Sequence, residues 1–251
     1  KKYQETPFLK GLYKAQTPYF SDKLYIILID EMNLSRFEHY GADIISLLET
    51  GDEEKGLEIR WTPQGVIPDL FIGEDDHIEI PKNVWFIGTA NHDETTVEFA
   101  DKTYDRSHVM ELPSHPSSFK VIEPKPRMPV SFDSLQSLFS EAREKFSLEA
   151  KMANDYLESS IRGPMQEIFN IGWGNRLLRH IEQFVPTLVA SGGTVSEAVD
   201  HLIATKLLRK VRNQHTVKKE GLEKMRDVIE SSWIKIDKTG LPIQSSTLLD
   251  N

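Results

Sequence analysis

The sequence of 251 residues contains no cysteine, which excludes disulfide bonds and thiolate metal sites. It has no apolar run near the roughly 18 residues that a membrane-spanning helix requires. The charged residues at its start are not followed by an apolar stretch, so no signal peptide is recognisable there. From these absences we expect a cytoplasmic protein that does not enter a membrane.

Basic residues are in the minority, with 30 Lys and Arg against 39 Asp and Glu and a net charge of −9. This balance argues against a nucleic-acid-binding surface that covers the whole molecule. The segment 201–226 departs from it, with eight Lys or Arg against two Glu. We interpret this segment mainly as a solvated helix face, and alternatively as a surface that contacts DNA or a partner.

The first half of the chain predicts an α/β arrangement. Short apolar runs at 24–29 and 84–87 are typical of strands buried on both faces of a parallel sheet. Between them, apolar residues at helical spacing over 34–48 predict a helix, capped by Asn33 or Ser35 and ended by Gly51. Alternating residues at 57–61 and 77–80 predict a hairpin inserted between the two strands, and a short helical stretch follows near 96–104.

The second half of the chain predicts helices alone. Five prolines between 113 and 129 indicate a boundary, and we divide the chain into an α/β domain at 1–125 and a helical domain at 126–251. We expect the tail after Lys238 to be frayed. The predicted helices lie near residues 135–146, 153–169 with a break at Gly163–Pro164, 177–188 with a bend at Pro186, 195–211 and 222–233.

Polar side chains follow both predicted strands directly. If the strands are neighbours, Asp30, Glu31 and Asn91 meet at one edge of the sheet, where ligands bind in open α/β folds. Asp30 suits a hydrated Mg²⁺ that bridges phosphates, and Glu31 suits polarisation of an attacking water. Asn91 can hold that water, and Arg106 can neutralise charge on a transferred phosphoryl group in a neighbouring subunit. Taken alone, the Asp-Glu pair is equally typical of an ordinary strand end, while Asn91 is more often a turn residue and Arg106 more often a surface ion-pair partner.

The segments 28–40, 86–96 and 104–106 resemble the Walker B region, the sensor 1 strand end and the arginine-finger segment of McrB-like AAA+ proteins. The resemblance assigns Asp30 and Glu31 to Walker B, Asn91 to sensor 1 and Arg106 to the finger. A looser resemblance covers the lid, where 174–178 and 198–212 resemble lid helices of the same group. It implies that Arg176 binds nucleotide as sensor 2, with Arg179 as its rival.

The resemblance implies a partial AAA+ core followed by a small all-helical lid, acting as a nucleotide-hydrolysing motor with Mg²⁺ and ATP, or less favourably GTP. It further implies a homo-oligomeric ring that works on DNA in a restriction or defence system, with a partner nuclease. No G-x-x-x-x-G-K-[ST] loop occurs, however, so we expect the chain alone to be inactive.

Two explanations of the missing loop stay open. We favour the explanation that the chain is a fragment of a longer protein, and the alternative is a natural subunit that has lost the loop. The sheet of such a fragment would lack its first strand and expose apolar surface. The alternative function is a catalytically inactive scaffold or assembly module with an AAA+-like shape.

Overall fold

The computed structural model describes residues 6–42, 44, 46, 57–58, 77–78, 80–91, 96–97, 99–112, 129–212 and 217–250. These residues are mostly helical, with a small two-stranded parallel sheet. The chain forms two compact units, residues 1–106 with 117–136 and residues 107–116 with 137–251. We call them the sheet unit and the helical unit. No helix in the described ranges has both the length and the apolar character needed to cross a bilayer.

The sheet unit contains both predicted core strands, which pair in parallel from Tyr25 with Val84 to Ile29 with Gly88. The predicted hairpin is also present within the described residues as an antiparallel pair, Leu57 with Ile78 and Glu58 with His77. The elements of this unit are α1 (Pro7–Gln16), β1 (Tyr25–Ile29), α2 (Phe37–Tyr40), β2 (Leu57–Glu58), β3 (His77–Ile78), β4 (Val84–Gly88) and α3 (Asp101–Arg106).

Helix α1 covers one face of the parallel sheet. It begins at a side-chain cap, where Thr6 Oγ1 accepts a hydrogen bond from Leu9 N at 3.2 Å. Leu12 and Ala15 are fully buried and form a small core with Val84. The buried Asn83 side chain donates to the carbonyl of Ala15 at 3.1 Å and so ties the end of α1 to the start of β4.

On the opposite face of this sheet the described side chains are exposed, so the expectation that both faces are buried is wrong for these residues. Ile26 and Leu28 on β1 are 50% and 60% exposed, and Trp85 and Ile87 on β4 are 37% and 44% exposed. Successive side chains on a strand project to opposite faces, and α1 packs on one of them. Half of each apolar run therefore meets solvent.

The segment after β1 contains helical residues within the predicted range 34–48, but the predicted cap is wrong. Helix α2 spans Phe37–Tyr40, and Arg36 occupies its N-terminal cap without a side-chain hydrogen bond. Neither Asn33 nor Ser35 caps it. The predicted terminator, Gly51, lies outside the described residues.

The helical unit comprises the segment 107–112 and the described residues from 137 onward, and the predicted domain boundary at 125/126 lies outside the described ranges. Two π-helical turns, Leu157–Ile161 and Ile203–Leu208, each join two α-helices, and a 3₁₀ turn, Trp233–Lys235, follows another. The α-helices are α4 (Phe132–Lys145), which begins in the sheet unit, α5 (Ser147–Tyr156), α6 (Arg162–Phe169), α7 (Asn175–Ala190), α8 (Val195–Leu202), α9 (Arg209–Arg212), α10 (Lys219–Ser232) and α11 (Ile243–Asp250).

Helices α5 to α11 contribute side chains to one continuous apolar core. A capping box starts α8, because Thr194 Oγ1 accepts from Glu197 N while the Glu197 carboxylate accepts from Thr194 N. The core side chains that are fully or almost fully buried include Leu157, Ile161, Met165, Ile181, Val185, Leu202, Ile203, Leu207, Leu208, Met225 and Ile229.

The predicted break at Gly163–Pro164 takes the form of a widened turn. Pro164 has no N–H, and its ring conflicts with the carbonyl four residues earlier in a regular α-helix. The π turn Leu157–Ile161 lies where that conflict arises and lets the helix continue into α6. Pro186, in contrast, is accommodated within α7, which runs on to Ala190.

The prediction of a frayed tail is wrong. Helix α11 packs its Leu249 side chain, 7% exposed, into the core. The buried Asp200 carboxylate on α8 accepts from Gln244 N at 2.7 Å, Ser245 N at 2.9 Å and Ser245 Oγ at 2.5 Å. A side chain distant in sequence therefore caps this helix.

Candidate functional site at the ends of two parallel strands

The hydrogen-bond ladder between β1 and β4 continues beyond the strands. Thr89 N donates to the carbonyl of Ile29 at 3.0 Å, and Met32 N donates to the carbonyl of Thr89 at 2.8 Å. These bonds hold the segment that carries Asp30 and Glu31 beside the segment that leads to Asn91. The structure thus brings these three predicted residues to the same edge of the sheet.

Thr89 also connects the acidic pair through its side chain. Its Oγ1 donates to Asp30 Oδ1 at 2.5 Å and accepts from Glu31 N at 2.9 Å. The Asp30 and Glu31 residues are themselves exposed. Their carboxylates are therefore accessible to a ligand, although the backbone that carries them is fixed.

Asp30 and Glu31 lie beyond the end of strand β1, so the alternation of side chains along a strand does not describe how they point. Strand β1 ends at Ile29, and Glu31 has a φ of 49°, in the left-handed region that residues other than glycine seldom adopt. Such a conformation costs on the order of 1 kcal/mol and persists where surrounding contacts impose it. The contacts of Thr89 with Glu31 and Met32 are the bonds that hold this turn.

Gly88 lets the Met32 side chain cross the end of β4. A Cβ atom at position 88 would lie 2.0 Å from Met32 Sδ, so no larger residue fits without displacing that side chain. The glycine thus permits the close approach that brings the turn at Glu31 against β4.

Asn33 is the residue of this site that the sequence analysis misassigned. It is 2% exposed, and its Nδ2 donates to the carbonyl of Asn91 at 2.7 Å, while its own carbonyl accepts from Val97 N at 3.0 Å. The Asn91 carbonyl also accepts from Thr96 Oγ1 at 2.8 Å. The side chain predicted to cap a helix therefore fixes the backbone after β4.

A divalent metal at this site would depend on few protein ligands. Within the described ranges, no group of three or more His, Cys, Asp or Glu side chains is arranged to hold a metal ion. Mg²⁺ keeps several of its waters and is often bound through one or two carboxylates together with substrate phosphates. An accessible Asp30 carboxylate fits that mode of binding and does not fit a protein-only cage.

The three predicted arginines belong to helices and not to the two strand ends. Arg106 is the last residue of α3 in the sheet unit. Arg176 and Arg179 lie in the first two turns of α7 in the helical unit, Arg176 partly buried and Arg179 exposed. Their assignment to nucleotide contacts stays a prediction.

The basic segment 201–226 has two roles in the structure. Lys206 and Arg209 are 5% and 7% exposed, so the solvated-face interpretation is wrong for them. The Lys206 ammonium donates to the Ser107 carbonyl, and the Arg209 guanidinium pairs with the Glu111 carboxylate. The side chains that do face solvent are those of Arg212, Lys218, Lys219 and Lys224.

His108 adds an aromatic contact between the segment 107–112 and the helices. Its ring centroid lies 4.5 Å from that of Phe184 and 5.0 Å from that of His201. The residue as a whole counts as exposed, yet its ring lies against these two side chains. Burial of the ring, reinforced by the nearby His201, Lys206 and His180, lowers the pKa of His108 from 6.5 to about 4.

No protein-family model matches this chain, and comparisons with curated proteins and with solved structures also find no match.

Proposed function

We propose that this chain carries the metal-binding and water-activating part of an AAA+ nucleoside triphosphate hydrolase that resembles the McrB-like group. The observation that supports the proposal most strongly is the parallel pairing of β1 with β4, which brings Asp30, Glu31 and Asn91 to one edge of the sheet. This convergence is the arrangement that the sequence motifs require.

The roles follow from the chemistry of each side chain. Asp30 holds a hydrated Mg²⁺ whose remaining ligands are water and phosphate oxygens. Glu31 polarises the water that attacks the terminal phosphate, and the Asn91 amide orients that water without adding charge. Both carboxylates are exposed and therefore reachable by a nucleotide.

The remaining parts of the proposal depend on the resemblance alone. Arg106 serves as the finger for a neighbouring subunit of a homo-oligomeric ring, and Arg176, or its rival Arg179, contacts the nucleotide. ATP is favoured over GTP, and the client is DNA, with a nuclease as partner, in the cytoplasm. Because the 251 residues contain no G-x-x-x-x-G-K-[ST] loop, the phosphates require a binding loop from outside this sequence.

Glu31→Gln tests the proposal in the protein that combines this chain with such a loop. The amide keeps the size and shape of the side chain but replaces one acceptor oxygen with an NH₂ donor and cannot act as a base. We expect nucleotide affinity to stay within about threefold while kcat falls about 100-fold or more. The measurements are equilibrium nucleotide binding and steady-state phosphate release.

Glu182→Gln, on the exposed side of α7, is the matched control, because it makes the same chemical change outside the site. Its turnover should equal that of the unmodified protein. Equal turnover of Glu31→Gln and the unmodified protein would remove Glu31 from the mechanism.

The second candidate function is a scaffold without turnover. The exposed apolar face of the sheet, formed by Ile26, Leu28, Trp85 and Ile87, favours it, because such a face can pack against another protein element. A scaffold predicts that the assembled protein binds partners equally well with and without nucleotide and releases no phosphate.

A further inference from the structure

The Thr89 hydroxyl is the one side-chain group that bonds to both members of the acidic pair within the described residues. The direction of its two bonds is determined by chemistry. The Glu31 backbone N–H can only donate, so the hydroxyl proton is available to the Asp30 carboxylate. A hydroxyl at this position thus orients one acid through its side chain and the other through its backbone.

The backbone of Thr89 strengthens the same connection. Its N–H and C=O bind Ile29 and Met32, the residues on either side of the acidic pair. Thr89 therefore makes four hydrogen bonds to residues 29–32, two through its backbone and two through its hydroxyl. A residue needed only to extend the sheet would make the two backbone bonds and could have any side chain.

The turn at Glu31 shows why the side chain matters. Its left-handed backbone, with φ at 49°, is unfavourable for glutamate, so the turn needs an external partner. The Thr89 hydroxyl is that partner, because its Oγ1 accepts a hydrogen bond from the backbone N–H of Glu31.

We propose that Thr89 is a positioning residue for the acidic pair: its hydroxyl orients the Asp30 carboxylate toward a hydrated divalent metal and fixes the turn from which Glu31 reaches the attacking water. This inference rests on the proposed function and deepens it. It assigns to Thr89 the placement of two catalytic carboxylates without contact with substrate.

The experiment compares Thr89→Val, which keeps the shape and strand preference but removes the hydroxyl, with Thr89→Ser, which keeps the hydroxyl. In the protein that contains the phosphate-binding loop, Thr89→Val should lower kcat about 10- to 100-fold with little change in the KM for nucleotide, as for other residues that orient metal ligands. It should also raise the Mg²⁺ concentration needed for half-maximal turnover. Thr89→Ser should restore both to within about threefold of the unmodified protein.

A second measurement is independent of turnover. Amide hydrogen exchange of the intact protein should be about tenfold faster at Glu31 in Thr89→Val and unchanged in Thr89→Ser, because one hydrogen bond is lost. Exchange at Ile181, in the helical core, should be the same in both variants and serves as a control for folding.

The outcomes separate the two proposals. Full turnover with ordinary Mg²⁺ dependence in Thr89→Val, while Glu31→Gln is inactive, overturns the role of Thr89 and leaves the proposed function intact. Absence of phosphate release from the unmodified protein overturns the proposed function and the catalytic role of Thr89 together. Unchanged exchange at Glu31 in Thr89→Val overturns the inference that this hydroxyl holds the turn.

Discussion

The sheet unit and the helical unit are stabilised in different ways. In the sheet unit, the described buried apolar core is small, one face of the parallel sheet is exposed, and the candidate site is positioned by backbone, amide and hydroxyl hydrogen bonds. In the helical unit, a continuous buried core joins the helices. The contrast predicts that substitutions at the candidate site cost little stability, whereas substitutions in the helical core cost much more.

The largest effect on stability should come from Ile181→Ala on α7. Ile181 is fully buried, so truncation removes apolar contacts and leaves a cavity in the core. We expect the free energy of unfolding of the helical unit to fall by about 3 kcal/mol. Chemical denaturation followed by residue-resolved hydrogen exchange measures this change and shows whether the sheet unit is affected.

Leu178→Ala is the matched control, because Leu178 lies on the same helix but is 36% exposed. Its cost should be below about 1 kcal/mol. Equal costs for the two variants would mean that burial does not distinguish the faces of α7, and the contrast between the units would lose its basis.

A smaller loss should follow from Asp200→Asn. The amide keeps the size of the side chain, but its NH₂ group meets one of the backbone N–H donors of Gln244 and Ser245. We expect a loss of about 2 kcal/mol, with faster exchange confined mainly to α11. Ser245→Ala, which removes one donor and leaves the two backbone bonds, should cost about 1 kcal/mol. Exchange rates in α11 that do not change in Asp200→Asn would contradict the capping role.

The smallest effect should be a dependence on pH contributed by His108. Its folded pKa of about 4 lies below the ordinary 6.5, so between these values the unfolded chain binds more protons than the folded one. The contribution to stability is therefore complete above pH 6.5 and is lost as the pH falls toward 4. Since the residue is exposed although its ring packs against Phe184 and His201, screening by solvent limits the contribution to about 1 kcal/mol.

Urea denaturation of the unmodified protein and of His108→Gln at pH 7, 5.5 and 4 tests this contribution. The difference in stability between the two proteins should change in favour of the variant as the pH falls. The half-buried His201, whose pKa is also lowered by burial, is present in both proteins and adds its own pH dependence to each. A difference that does not change with pH would contradict the prediction.

Local patterns in the sequence predicted much of the fold. The two core strands, the hairpin and the helices between residues 132 and 233 follow from the spacing of apolar residues, whereas α1 was not predicted. The convergence of Asp30, Glu31 and Asn91 follows from strands that end in polar residues. Each of these features depends on residues close together in the chain or on a single pairing of strands.

The features that were missed depend on distant residues. The cap of α11 comes from Asp200, and the partner of the buried Asn33 amide is a carbonyl 58 positions away. The exposure of one sheet face depends on which elements pack against it, and the left-handed turn at Glu31 depends on Thr89. The spacing of residues within one segment does not indicate which distant residues will contact it.

At position 31, the residue that suits the proposed reaction is not the residue that suits the backbone conformation. Glycine, asparagine and aspartate all adopt a left-handed conformation more readily than glutamate does. A directed-evolution campaign that rewarded thermal resistance alone would therefore drift away from glutamate at position 31 and discard the proposed proton acceptor. Retention of glutamate under such selection would indicate that the protein needs this carboxylate for a purpose other than folding.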